Sequence, residues 1–260
     1  MAKDFYLNER ALASYLEKDW ADHFTDWQSE SSKQFAFKPF DRSRLYCAYH
    51  EKLVEVIANQ ALKLSFRPVK VLEVGSSLGR TFFEVCQRFE TLRSACLVEP
   101  SQNLHGAFQK IFKGKGQQSF STLKGNAETH IRAISTAPIQ ALCAHVDWTC
   151  LNSSFQTLNC AKEAFDLVIC SNVIDQCHEP LELIRFLKSS TAKNGLLVLS
   201  CTYQWQDKYL GNAGVIIQNI TDLFLHDWHL VHEIDIPFYF RVNERYWMSF
   251  LSHAGCFVKR

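Results

Sequence analysis

The segment that most constrains this 260-residue chain is Val71-Leu-Glu-Val-Gly75-Ser-Ser-Leu-Gly79-Arg80. Its opening residues are apolar apart from one acid and read as the end of a buried strand, the two glycines permit a tight turn, and 80–89 continue with a helical pattern. A buried strand that turns straight into a helix leads to a parallel neighbour by a crossover, so the unit predicts an α/β fold. After Pro68 the same grammar recurs. Strands are expected at 69–74, 95–99, 140–146, 165–170 and 195–202, and helices at 80–89, 101–113 and 179–189. Alternating runs at 228–236 and 246–258, joined by PFYFRVNER, are expected to pair with each other. The loop KGKGQQ (113–118) reads as solvated surface.

Ahead of Pro68 the pattern is helical. Residues 8–24 begin at a plausible Asn8 cap and place Leu12, Tyr15, Leu16 and Trp20 on one face, and 44–64 repeat this with Leu45, Tyr49, Leu53, Val54 and Ile57. The stretch between them, 25–40, has no period and reads as a loop packed by Phe35, Phe37 and Phe40. The chain therefore divides into an N-terminal helical cap, 1–65, not independent, and a core, 66–260. Composition is that of a globular domain, 47% hydrophobic and 21% charged. A formal charge of +1 offers no general attraction to nucleic acid or an anionic membrane. A small-molecule partner is expected. The ten cysteines sit mostly in apolar runs, with no Cys-x-x-Cys, so buried free thiols, no structural metal and a cytoplasmic setting are expected.

The glycine turn disfavours a nicotinamide dinucleotide, and with it an oxidoreductase, and favours another ligand. A dinucleotide fingerprint wants glycine at 75, 77 and 80, but Ser77 and Arg80 stand at two of those places. The form Glu-x-Gly-x-x-x-Gly instead leaves the Glu73 acid at a strand end and free N–H groups at a helix start, which suits an ammonium and a carboxylate. S-adenosylmethionine is such a ligand. Glu99 ends the next strand, 24 residues after Gly75, where α/β sites place a carboxylate against ribose hydroxyls. Asp147 and Trp148, after the ALCAHV run, are read as an adenine-facing pair. The expected cofactor contacts are Glu73, Gly75, Ser76, Ser77, Gly79, Glu99, Pro100, Asp147, Trp148 and Ser171.

At this point the sequence resembles the class I S-adenosylmethionine-dependent methyltransferases. Within that class it resembles the methyltransferase domain of ovothiol biosynthesis, the 4-mercaptohistidine (5-thiohistidine) N-methyltransferases. The narrower likeness is carried by EVGSSLGRTFFE (73–84), SNVIDQCHEP (171–180), GLLVLSCTYQW (195–205) and DIPFYFRVNERYWMSF (235–250). The family's Asp-x-Gly-Cys turn is Glu73-Val74-Gly75-Ser76 here, and its Thr/Ser-Pro-Tyr reads Cys201-Thr202-Tyr203. The resemblance implies a Rossmann-like seven-stranded sheet with helices on both faces, an antiparallel C-terminal hairpin, and N-methylation of the imidazole of a thiolated or selenium-bearing histidine. Another small amine, thiol or selenol acceptor, or a silent cofactor-binding protein, stays open.

Under that reading, Asn172 or Asp175 is expected to orient the imidazole and accept or relay its proton, with Tyr203 hydrogen-bonded to the ring or packed beside it. Trp205, which like Tyr203 follows the 195–202 strand, is expected to bind the substrate, and Arg241 is given to the substrate α-carboxylate because a guanidinium pairs with it in bidentate fashion. Tyr46, Tyr49 and His50 share a helix face and are expected to close over the substrate, and Arg80 to contact the substrate or the cofactor carboxylate. His226, His229 and His232 are read as surface or packing residues. The state of association is expected to be monomer or homodimer.

Overall fold

The computed structural model describes residues 9–26, 47–124, 128–158, 161–205, 215–224, 227–243 and 245–260. Its main sheet has seven strands in the order β5-β2-β1-β6-β7-β9-β8. These are β1 (Lys70–Val74), β2 (Ser94–Val98), β5 (Asp147–Leu151), β6 (Phe165–Ser171), β7 (Thr191–Cys201), β8 (Trp228–Asn243) and β9 (Tyr246–Lys259). The first five are mutually parallel, and β9 runs antiparallel to both β7 and β8. Parallel strands need covering on both faces, and side chains alternate between them. On β6, Leu167 and Ile169 enter one apolar cluster while Val168 and Cys170 enter the other; Leu196 and Leu197 divide likewise on β7.

The helices α2 (Tyr49–Lys63), α3 (Arg80–Arg88), α4 (Gln102–Lys113) and α5 (Thr136–Cys143) contribute to the first cluster, and α6 (Pro180–Ser190) to the second. The N-terminal helix α1 (Glu9–Trp20) ends in a 3-10 turn, Ala21–His23, and places Leu16 and Trp20 in the first cluster. The order of strands reverses at β1, whose neighbours β2 and β6 carry the chain to opposite sides. Ligands of open α/β sheets bind outside the carboxyl ends of the strands at such a point.

Three expectations are corrected. Residues 140–146 are not a strand: α5 covers Thr136–Cys143 and the strand begins at Asp147. Periodicity does not separate a short buried strand from a short helix, and ALCAHV is such a run. Residues 117–135, given no strand, form a separate antiparallel hairpin, β3 (Gln117–Lys124) and β4 (Glu128–Ser135). Its buried residues include Thr122 and Arg132, so hydrophobic alternation does not reveal it. Lastly, PFYFRVNER is largely strand rather than connection. Pairing of β9 with β7 stops at Cys201↔His253, whereas β8–β9 pairing continues to Asn243↔Tyr246. The hairpin thus extends past the sheet as a two-stranded arm. Pro237 is accommodated because β8 is an edge strand.

All the described cysteines are free thiols, most of them buried. No helix among the described residues is long and apolar enough to cross a membrane.

Candidate active site

A cavity of about 750 Å³ opens at the carboxyl ends of β1, β2 and β6. One end is lined by Glu73, Gly75, Ser76, Ser77, Glu99 and Pro100, together with Ser171 and Asn172 across the switch point. Gly75 has φ 79°, and a Cβ there would lie 2.2 Å from Val173 Cγ2, so both backbone shape and close approach demand glycine. Gly79 has the same left-handed backbone but is outside the lining. It begins α3 and lets Phe108 pack close, 2.4 Å from where a Cβ would stand.

The two acids differ in what holds them. Glu99 accepts the Ser77 N–H at 2.9 Å through Oε2 and the Ser101 N–H at 2.8 Å through Oε1, tying the glycine turn to the start of α4. Glu73 is buried and its Oε2 has no hydrogen-bond partner. Burial pushes its carboxyl up to about 8, the Thr81 hydroxyl opposes this, and the neighbouring Glu99 and Asp19 charges add to the rise. A buried acid with an unpartnered oxygen beside a cavity is a candidate partner for a cationic group, whose charge would draw off its proton. S-adenosylmethionine fits: the cavity is large enough for a nucleoside joined to an amino acid, and Glu73 and Glu99 would be the acids that line the end which holds it.

The other end is built by distant parts of the chain. Arg10, Ser14, Tyr15 and Lys18 of α1 line it, as do Tyr49 and His50 of α2 and Phe238, Phe240, Val242, Met248 and Phe250 of the arm. His50 is held on both nitrogens, Nδ1 by Thr81 Oγ1 at 2.8 Å and Nε2 by Asp19 Oδ1 at 2.9 Å. Burial pulls its pKa below the usual histidine value and Lys18 reinforces this, against Asp19. Burial works against the charge of Asp19, but Lys18 and His50 outweigh it and bring the carboxyl down to about 2. The Lys18 ammonium pairs with Asp19 and lies 5.0 Å from the centroids of both Tyr15 and Phe238.

Several expected site residues do other work. Asp147 stands at the amino end of β5, opposite Ser94, and is exposed. At about 3.3 Å per residue, the four-residue run to Leu151 carries the carboxyl edge roughly 13 Å away. Trp148 packs against Phe82, Phe108 and Phe112. Neither belongs to the cavity. Arg80 is buried and directs its guanidinium to Asp22, Glu84 and Glu51, and to the Asp19 carbonyl at 2.6 Å. Those carboxylates offset the unfavourable dipole of a cation at a helix start. Arg241 gives its fork to Glu17, at 3.0 and 2.7 Å, and also donates to the Leu123 carbonyl. It joins α1, β3 and β8 rather than meeting a substrate.

Asp175 is fully buried outside the cavity lining. Its Oδ2 accepts from Thr202 Oγ1 at 2.7 Å and from the Gln204 N–H at 3.1 Å, so it shapes the loop whose Thr202 and Gln204 do line the cavity. Tyr203 points elsewhere: its hydroxyl meets His253 Nδ1 at 2.7 Å and accepts the Ile220 N–H. Trp205 packs on the second apolar cluster, also outside the lining. Asn8, Phe35, Phe37, Phe40, Leu45, Tyr46 and His226 lie outside the described residues.

Tyr49, His50 and Asn172 do meet at the cavity. The wall residues of α1 were not expected, although the Leu12–Tyr15–Leu16 stripe already marked a face to be covered. Those of the arm lie in the segment that carried the resemblance, but no role had been given to its phenylalanines.

A parallel sheet with a glycine turn, two strand-end acids and a nucleoside-sized cavity defines an α/β enzyme of the S-adenosylmethionine-binding class. The chain belongs to the methyltransferase-domain family, whose model matches residues 40–251. It is an S-adenosylmethionine-dependent methyltransferase. Among solved structures it is similar to the N-methyltransferase NodS from Bradyrhizobium japonicum WM9 in complex with S-adenosyl-L-homocysteine, at 13% identity and TM-score 0.50, covering 91% of this chain and 98% of that one. It is also similar to magnesium protoporphyrin IX methyltransferase (ChlM) from Synechocystis PCC 6803 with bound cofactor, at 13% identity and TM-score 0.50, covering 99% and 100%. At such identities the likeness is one of fold. No curated protein matches the sequence.

Proposed function

We propose that this methyltransferase acts on an imidazole nitrogen of a small amino acid, a thiolated or selenium-bearing histidine. The observation that carries the reading is that 235–250, the stretch most specific to the resemblance, supplies Phe238, Phe240, Met248 and Phe250 to the wall of the cavity that contains Glu73 and Glu99. An apolar slot lined by flat rings suits a heteroaromatic acceptor.

When bound, the cofactor supplies an electrophilic methyl group on a sulfonium sulfur. The protein's task is then alignment, because in-line displacement depends on geometry more than on acid or base strength. Glu73 and Glu99 hold the cofactor end, and the aromatic wall confines the ring and excludes water. A ring nitrogen with a free lone pair is nucleophilic at neutral pH, so proton loss follows methyl transfer instead of preceding it.

Mass and NMR analysis of products from a panel of thiolated histidine, its selenium counterpart, histidine, and small amines and thiols tests this. The expected product is the N-methylated imidazole of the thiolated or selenium-bearing compound. Turnover confined to acceptors without an imidazole would refute the reading in favour of another small amine, thiol or selenol.

A further inference from the structure

Beside the acids at the proposed cofactor end, a second polar cluster drawn from three adjacent strands and α2 reaches the cavity wall through Tyr49, Ser171 and Asn172. Ser171 on β6 stands opposite Ser200 on β7, and Ser252 lies on β9. The Tyr49 hydroxyl sits among them, 2.9 Å from Ser171 Oγ, 2.6 Å from Ser200 Oγ and 3.3 Å from Ser252 Oγ. All of this converges on Asn172. Its backbone is left-handed at φ 54°, a shape asparagine tolerates better than most residues, and its N–H reaches the Ser200 carbonyl at 3.0 Å and Ser200 Oγ at 3.2 Å.

The contact distances decide which way the Asn172 amide faces. Ser252 Oγ lies 2.5 Å and Ser200 Oγ 3.3 Å from Oδ1. The shorter contact suits O–H···O and is too short for N–H···O, which falls at about 2.7–3.2 Å. The serine hydroxyls therefore donate to the amide oxygen. The supply of hydroxyl protons agrees: Tyr49 can donate to Ser200 and Ser171 to Tyr49, leaving Ser200 and Ser252 to donate to Oδ1. Asn172 Nδ2 is left buried without a partner, on a residue that lines the cavity. With its oxygen taken, Asn172 cannot accept a proton from the acceptor; it can only donate a hydrogen bond.

We propose that Ser252 and Ser200, with Tyr49, are positioning residues that fix the Asn172 amide so that Nδ2 holds the thiolate or selenolate of the acceptor substrate. This rests on the proposed function and deepens it. A thiolate beside a ring nitrogen is the better nucleophile of the two, so nitrogen methylation requires the sulfur to be held elsewhere. A fixed donor does this in two ways: it locates the anion, and it stabilises the negative charge that would otherwise attack the methyl group. An oxygen pinned by two serines and a donor left unpartnered give Asn172 a preference for an acceptor atom.

The test is a binding measurement, independent of turnover. Calorimetry is performed on the full chain saturated with S-adenosylhomocysteine, titrating 4-mercaptoimidazole and, separately, imidazole. The wild type is expected to prefer the mercapto compound by about tenfold or more, as one charge-assisted hydrogen bond would give. Asn172→Leu should bring that ratio close to one, and Ser252→Ala should reduce it about threefold or more by freeing the amide to rotate. S-adenosylhomocysteine affinity checks that each variant is folded. A wild-type ratio near one, or a ratio that survives Asn172→Leu, overturns the proposal; a full ratio in Ser252→Ala overturns the positioning role. Should Asn172→Leu fail to fold, the wild-type ratio and Ser252→Ala still decide the matter. Preference for the mercapto compound without N-methylation of thiolated histidine would refute the proposed function alone. N-methylation with a ratio of one would refute this inference alone.

Discussion

The half of the cavity proposed for the cofactor is drawn from strand ends and the turns that follow them, whereas the half proposed for the acceptor is assembled from α1, α2 and the far end of the β8–β9 arm. In the first half a residue's place follows from its neighbours in sequence. Glu73 closes on the Gly75 turn because both belong to one strand–turn–helix unit, and Glu99 directly follows the end of the neighbouring strand, two residues beyond Leu97, the register partner of Glu73. In the second half, Lys18, Tyr49 and Phe238 share a wall only because the chain returns to the same place after long excursions. The first half tolerates little backbone change, while the second is held by ion pairs and aromatic contacts between elements far apart in sequence.

The largest effect is expected in the second half. Arg241→Ala leaves Glu17 buried without its counterion, a loss of about 3–5 kcal/mol in chemical denaturation. The Arg241→Met, Glu17→Gln pair should regain much of it. Unchanged stability together with a raised KM would return Arg241 to the substrate and erase the contrast between the halves.

In the cofactor half, Glu73→Gln should weaken S-adenosylmethionine by roughly 10- to 100-fold in calorimetry, the range for losing an interaction with a charged group. Affinity within a factor of two of wild type would show that Glu73 does not face the cofactor. Gly75→Ala should lower stability by about 1–3 kcal/mol, from left-handed strain and collision with Val173, and Val173→Ala should relieve part of it. If thermal melting of Gly75→Ala matches wild type, the close approach at the turn is wrong.

Glu73 also sharpens the comparison through pH. Its folded carboxyl titrates near 8 against an ordinary 4.5, so the folded state keeps a proton that the unfolded chain gives up. The stability it contributes therefore declines as pH rises from the ordinary carboxylate range to about 8 and is level beyond. Glu73→Gln cannot ionise, so its melting temperature relative to wild type should climb across that window. A constant difference would mean that Glu73 is charged throughout. The smallest effect belongs to Asp147→Asn, at the opposite edge of the sheet. Cofactor affinity should change by less than about twofold, as for a surface substitution away from the site; a larger loss would restore the adenine assignment.

Most of the sheet was legible because buried parallel strands announce themselves as short apolar runs between turn signals. β1, β2, β6 and β7 fall within a few residues of expectation. The exceptions share a cause. α5 and the start of β5 lie on one apolar run in which helix and strand look alike, and displacing that strand carried Asp147 and Trp148 to the wrong edge. The β3–β4 hairpin buries Arg132 against the Phe24 ring, 4.5 Å from guanidinium carbon to centroid, and beside Asp26. Such a strand has no alternating apolar pattern to read.

For the arginines the difficulty is different. Chemistry correctly marked Arg80 and Arg241 as groups that need carboxylate partners, but the partners proved to be Asp22, Glu84 and Glu17 of the protein itself. Nothing local to residue 241 names residue 17, because a fork binds any carboxylate that the fold brings within reach.

By itself the sequence determined the parallel sheet, the glycine turn and the acids that flank it, since these depend on patterns only a few residues long. It also marked the terminal hairpin as distinctive. Tertiary structure alone decided which polar groups remain available to a ligand. Hydrogen bonds use up donors and acceptors: Arg241 and Tyr203 are engaged by partners 224 and 50 residues away in sequence, and Asp175 gives Oδ2 to Thr202, 27 residues away. Asn172 has its oxygen taken and its Nδ2 left without a partner in the protein, an outcome set by serines on two other strands.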